Sequence, residues 1–425
     1  MRVALGYGQT SLDIDLPDEA EVLTPSPPAA LPNLSGALRA ALASPNGAVP
    51  IGESIAPHDR VAIVFSPRMP APVNALLAAE LLGAVEAHGV PRDRITLILA
   101  RDFEASVSSS DPILMLGQAY RVVVHDPRDP DALLFQRRYA GERRAGIYLN
   151  EVYQQASVRI LTGPALPHFA GGWSHAMSVI PGLSAAHNAL RTFSVANLLH
   201  PETKPGSTTG NPIFDQAVDV GEESGVTLAC WLSLDPRGVP TGVFAGGFRE
   251  SVLAAAEAET GAARIDRAAG FDLEKGFDLV LAAAPGTQTL QAAIPALVTA
   301  AEAVTARGTI LLAAECAEGL GSASFASILG EASTPEELWA TLLAPEFAQD
   351  DQWSAVALSA ARRKASVSLS STLDVELVRS AHLMPISDLE RTVSEFTASF
   401  HLRMGHMPSI GVLPEAGRSI VGPLS

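Results

Sequence analysis

Hydrophobic positions alternate with polar ones at the start of the chain and gather into unbroken runs separated by helical spacing further on. Over residues 1–23, Val3, Leu5 and Tyr7 and then Leu12, Ile14 and Leu16 flank a Gly-Gln-Thr-Ser turn, which predicts a strand pair. A Pro-rich connector follows at 25–32, and 38–42 predicts part of a short helix. Val61 to Phe65 has no polar gap, as a strand buried on both faces requires. Ser66 to Pro72 reads as a loop. Leu76, Leu77, Leu81 and Val85 then place a helix over 73–88, with Gly89 positioned to end it, and 95–99 is the next strand. Such a β-loop-α-β unit builds a parallel sheet, and ligands of these sheets sit beyond the C-terminal ends of the strands. That rule points to the loop after Phe65 and to residues 100–104.

Further strands are predicted at 121–124, 146–149, 158–161 and 227–234, and an Ala- and Glu-rich helix at 246–260. A second series begins near Phe277, with a strand at 278–282, a helix at 290–307, a strand at 309–314 and a strand-end loop at 315–321. Helices at 335–343 and 352–364 and a strand at 366–369 complete it. The expected fold is therefore α/β: two α/β domains with mostly parallel sheets, to which the family resemblance described below adds a cleft between them. They divide near 262–275 into 1–265 and 275–400, with the tail 401–425 packing back on the first domain as a strand.

The densest candidate chemistry lies at 161–212, where His168, His175 and His187 stand among glycines and two Pro-Gly steps. Small residues at that density specify backbone shape and let a ligand approach the main chain closely. A hydrophobic fraction of 47% with 18% charged residues excludes a disordered chain. A net charge of −17 disfavours nucleic acid and anionic membranes as partners. The two cysteines, Cys230 and Cys316, match no zinc spacing and read as buried thiols in a reducing compartment. With no secretory leader visible and no apolar run of spanning length, the expectation is a cytoplasmic protein.

A series of short anchors recurs in an order that resembles the nickel-pincer-dependent lactate racemases. They include Tyr7-Gly8, Leu16-Pro17, Pro70-Ala71-Pro72, His125-Asp126 with Asp129, Leu149-Asn150 and Phe169-Ala170-Gly171. Pro181-Gly182, Gly210-Asn211-Pro212, Val243 to Gly246, Gln291, Gly308-Thr309-Ile310, Glu315 to Gly321 and Gln352-Trp353 follow. The resemblance spans nearly the whole chain. It implies two α/β domains and hydride removal from, and return to, the α-carbon of a 2-hydroxy acid. In the family a lysine tethers a nickel-holding pincer nucleotide, one histidine ligates the metal, two more act as acid and base, and an arginine fixes the carboxylate. Groups titrating near neutrality suit the proton transfers, and a guanidinium matches a carboxylate.

Carried over position by position, this resemblance implies a depleted site. The acid of the first loop becomes Ser66 and its arginine becomes Met69, with Arg68 one position early. One catalytic histidine becomes Glu104. The cofactor lysine becomes Met177, and the nickel histidine becomes Phe193. The second-domain lysine becomes Ile294. Only His168, Gln291 and Trp353 match. A thioether has no amine to acylate, so no cofactor and no metal are expected. The implied function is a degenerate or repurposed homologue that binds a small molecule, a carboxylate among the candidates.

Two alternatives stand beside it: altered acid/base chemistry through Glu104, His168, His175 and Arg68, or an intact nickel racemase if the correspondence is misplaced. Residue by residue, the readings also divide. His168 is either a remnant base or a structural hydrogen bonder. His175 is either a new catalytic or metal residue or a filler of the space the cofactor left. Glu104 is either an acid/base or a solvated loop carboxylate. Residues 315–321 form either a metal site or a strained strand-end turn.

Overall fold

The computed structural model describes residues 1–101, 109–138, 146–265 and 276–421. Contacts divide the chain into two compact units. The central unit is formed by Pro27–Thr192 and Gly206–Ala262, and the terminal unit by Met1–Ser26, Phe193–Pro205 and Ala263–Ser425. This is not one cut in the chain: the N-terminal hairpin and residues 193–205 group with the C-terminal part, and the tail stays there too.

In the central unit a six-stranded sheet runs in the order Pro240–Gly246, Leu228–Leu234, Val158–Ala165, Val61–Phe65, Ile95–Leu99, Arg121–Val124. The first pair is antiparallel and the remaining pairs are parallel. Every residue of Val61–Phe65 is buried, as its unbroken apolar run predicts. The helix Ala71–Ala87 buries Leu77, Leu81 and Val85 in the same core as Ile63, Leu97 and Ile160. Gly89 follows at φ +82°, a left-handed turn that a side chain would strain.

In the terminal unit a second six-stranded sheet is parallel throughout. Its order is Met384–Ile386, Ser366–Ser370, Val304–Ala313, Phe277–Ala283, Ile410–Leu413, Glu21–Val22. The tail strand therefore sits inside this sheet, paired with Phe277–Ala283 on one side, rather than in the other domain. The reason is cover: Val412 and Ile410 are apolar on a sheet face, and the hairpin Arg2–Tyr7 and Thr10–Asp15 lays Val3, Leu5 and Ile14 over that face beside Leu279, Leu281 and Leu311. Burying each such aliphatic side chain contributes roughly 1.5–3 kcal/mol.

The helix expected over 290–307 ends at Ala303, and Val304–Ala313 is strand. Val304 and Thr305 are β-branched and lose χ1 freedom in a helix, whereas a strand suits them. Val304 pairs with Phe277, and the register shifts before Thr309 pairs with Leu279. Elements outside the sequence reading include the strands Leu133–Arg138 and Pro240–Gly246 and the helices Pro212–Glu223, Ala323–Glu331 and Leu389–Met404. No helix among the described residues is long and apolar enough to cross a membrane.

Because Ile410–Leu413 lies between two other strands, a chain ending at Gly405 is expected to lose the cooperative thermal transition of the terminal unit. Calorimetry of that truncation reads it directly, and an unchanged melting profile would show the strand to be dispensable.

Candidate functional site

The turn Phe169-Ala170-Gly171-Gly172 organises the histidine-bearing segment of the central unit. It joins two short antiparallel strands, Pro167–His168 and Gly172–Trp173. His168 is 9% exposed, and its Nδ1 accepts the Gly171 N–H at 2.8 Å and the Ala170 N–H at 3.3 Å. An atom receiving two N–H donors cannot itself carry a proton, so Nε2 holds it. The ring also stacks on Phe169 at 4.9 Å. His168 thus serves as an acceptor that shapes the backbone, and with Nε2 already protonated it is poorly set to abstract a proton.

Met177 closes on the same turn. It is 4% exposed, and a Cβ placed on Gly171 would fall 2.6 Å from its sulfur, so the thioether lies directly on the glycine backbone. Gly172 adopts φ +71°, and a Cβ there would meet the Ser207 carbonyl oxygen at 2.1 Å. Trp173 Nε1 donates to the Gly206 carbonyl at 3.1 Å. Asn211 Nδ2 donates to the Ala170 carbonyl at 2.8 Å, while its Oδ1 accepts the Ile213 and Phe214 N–H groups that begin the helix Pro212–Glu223. This asparagine was visible only as part of a Gly-Asn-Pro step, yet it ties the turn to the helix.

His175 begins the 3-10 turn His175–Ser178 and is 1% exposed. Its Nε2 donates to the Val252 carbonyl at 3.0 Å, and its ring lies 5.6 Å from Trp231 and 6.1 Å from Trp173. Burial pushes its pKa down to about 4, so the ring is neutral, and Nδ1 has no hydrogen-bond partner. The geometry is that of an interior packing residue. No group of three or more His, Cys, Asp or Glu able to hold a metal occurs among the described residues.

The loop after Phe65 is also closed by its own backbone. Ser66 Oγ accepts the Arg68 N–H at 3.3 Å, and its carbonyl accepts the Met69 N–H and the Asn74 amide at 3.2 and 3.1 Å. Arg68 is half-buried, and Met69 is packed in the central core with Phe65, Val73 and Leu77. Glu104 lies outside the described residues. His187 rests edge-on against Tyr148, and both His187 and His200 are exposed.

In the terminal unit, Gln291 Oε1 accepts the Ser322 N–H at 2.9 Å and its Nε2 reaches Ser354 Oγ at 3.5 Å, joining two helix starts. Trp353 is buried beside it in the helix Gln352–Lys364, with Phe193 edge-on at 5.9 Å. The Phe193 carbonyl accepts Gln352 Nε2 at 2.9 Å. The 315–321 turn holds Cys316 at φ +55° and Gly321 at φ +132° against Gln291. Burial and the neighbouring Glu315 push the Cys316 thiol up to about 12. The turn reading explains this loop. Met69 packs with Phe65, Val73 and Leu77, Met177 on the Gly171 backbone, and Phe193 on Trp353.

Sequence reasoning missed Glu259. It lies on the helix Phe248–Ala263 at the buried face defined by Val252, Ala255 and Ala256, and is 5% exposed. The i, i+3, i+4, i+7 spacing of those four residues was the available signal. Burial raises its pKa to about 7, opposed by the nearby Ser233 hydroxyl.

Two α/β units with mostly parallel sheets and glycine-shaped turns at strand ends define the class as a two-unit α/β protein. Comparisons with known proteins specify it further. Residues 7–204 match the lactate racemase N-terminal domain, and residues 278–421 match the lactate racemase C-terminal domain. The chain belongs to the lactate racemase family. It is 21% identical to a lactate racemase of Thermoanaerobacterium thermosaccharolyticum over 404 residues, covering 91% of this chain and 92% of that one. The structure of the lactate racemase apoprotein from the same organism superposes with a TM-score of 0.85 at 20% identity, covering all of both chains. A crystal structure of a Thermotoga maritima protein matches with a TM-score of 0.66 at 14% identity, covering 93% of this chain and 99% of that one.

The two buried ionisable groups give opposite pH responses. His175 is depressed when folded, so its contribution is present above pH 6.5 and is lost as pH falls towards 4. Glu259 is raised when folded, so stability falls as pH rises from 4.5 to 7, and the cost persists above 7. Each shift corresponds to about 3 kcal/mol. Glu259→Gln is expected to raise the melting temperature at pH 8 but not at pH 4.5, and His175→Gln to flatten the acid limb between pH 6.5 and 4. Calorimetry across pH 4–9 checks both, and a parallel pH profile for either variant and the parent would refute that assignment.

Proposed function

We propose that this lactate racemase-family chain neither attaches a nickel-pincer nucleotide nor racemises 2-hydroxy acids, and that it acts as a cytoplasmic small-molecule-binding homologue. The observation that carries this reading is Met177. At the position that the family resemblance assigns to the cofactor-bearing lysine, a buried thioether lies on the Gly171 backbone. A thioether cannot form the amide-type tether, and the lysines of the chain, Lys204, Lys275 and Lys364, stand at other positions of the sequence.

The positions matched to the metal histidine and the carboxylate arginine are consistent with this. Phe193 is an aromatic packed on Trp353, and Met69 is a core residue. Neither offers a lone pair suited to nickel or a charge suited to a carboxylate. His168 and His175 are both engaged through ring nitrogens with backbone groups, which favours binding over proton transfer. The residues present do not fit the family cofactor, so no catalytic step is derived through it. Two free, buried thiols, Cys230 and Cys316, suit a reducing compartment.

The test is production of the chain in cells that load an active lactate racemase with its cofactor, followed by intact-mass measurement, nickel analysis and a lactate racemisation assay. The expected outcome is an unmodified polypeptide mass, no stoichiometric nickel and racemisation at background. A covalent adduct of pincer mass with nickel bound one-to-one would overturn the reading.

A further inference from the structure

A groove of about 660 Å³ opens in the central unit between the helices Leu34–Ala43, Ile51–Ser54 and Ala71–Ala87, with no residue of 161–212 in its lining. That volume falls within the range of about 300–1,000 Å³ found for small-molecule sites. Its walls are apolar, formed by Leu42, Pro50, Ile51, Ala79 and Ala84. Its floor reaches the helix backbone, because a Cβ placed on Gly83 meets nothing within 4 Å.

The polar groups of the lining are matched unevenly. Arg39 is spent on Glu80 through two parallel bonds, Nε to Oε2 at 2.8 Å and Nη2 to Oε1 at 3.0 Å. That pair is neutral as a unit. His88 Nδ1 lies 2.7 Å from the Ala84 carbonyl, which can only accept, so Nδ1 carries the proton and Nε2 of the neutral ring is left as an acceptor. Gly52 permits this placement: a Cβ there would fall 2.6 Å from His88 Nε2. Glu53 is exposed and its carboxylate has no hydrogen bond or ion pair among the described residues. The groove therefore offers an uncompensated negative charge and a second acceptor beside apolar walls, while its guanidinium is already paired.

We propose that this groove binds a small amphipathic primary amine, with the ammonium on Glu53 and His88 Nε2 and the hydrocarbon body along Leu42, Ile51, Ala79 and Ala84. A carboxylate of the same shape meets Glu53 and a guanidinium held by Glu80, and so is repelled. An alcohol of the same shape can fill the walls but brings no charge to Glu53. The inference is independent of the fate of the family site, since it uses none of those residues.

The experiment is calorimetric titration of the full chain at pH 8 with hexylamine, hexanoate and hexanol. Hexylamine is expected to bind saturably with a Kd below about 1 mM, and hexanoate not to bind. Glu53→Gln is expected to weaken hexylamine by about tenfold or more. Gly83→Leu, which grows into open space from a helix and removes a glycine, is expected to abolish binding while raising the melting temperature. Hexanoate or hexanol binding as tightly as hexylamine, no saturable hexylamine binding below about 1 mM, or full binding by a folded Gly83→Leu variant would each overturn the proposal.

Discussion

Gly171 and Gly172 in the turn Phe169–Gly172 have no room for a β-carbon, and three other stretches of chain close on the turn. The Met177 thioether lies on Gly171, the Ser207 carbonyl lies where a Gly172 side chain would be, and Asn211 reaches the Ala170 carbonyl. His168 completes the closure by accepting two of the turn's own N–H groups. Fixing a left-handed backbone with unpaired amides is unfavourable alone. Here the amides are satisfied by a ring nitrogen and the carbonyl by an asparagine, so the turn and the helix Pro212–Glu223 are held as one piece.

Burial pushes ionisable groups in the interior of the central unit towards their neutral forms, because it penalises charge. His175 is depressed to about 4, Glu259 is raised to about 7, and Cys230 and Tyr153 are raised to about 12. A metal centre or proton relay needs ligands or acids that can reach solvent or substrate. The Met177 thioether on Gly171 and the His175 ring on the Val252 carbonyl are instead held in the interior.

Much of the sheet architecture was legible because both sheets are mostly parallel and their inner strands are buried. Strands such as Val61–Phe65 and Ile95–Leu99 are then unbroken apolar runs, and the intervening helix carries its own spacing. The irregular segments were less legible. The helix Pro212–Glu223 starts from an Asn-Pro step whose capping role depends on what the asparagine's other end touches. The boundary at Ala303 and Val304 is a contest between helix continuation and a β-branched pair, and pairing with Phe277 decides it.

Residue order alone determined the lactate racemase kinship and the two mostly parallel sheet series, because those are properties of single positions and their spacing. Tertiary structure decided what the side chains do. The proton of His168 is located by two backbone amides, that of His175 by the Val252 carbonyl, and the neutrality of Glu259 by the buried face of its helix. It also decided that the short strand Glu21–Val22 and the tail strand Ile410–Leu413 share one sheet. Hydrogen-bond partners and desolvation come from segments far apart in the chain, and no local pattern encodes which of them will meet.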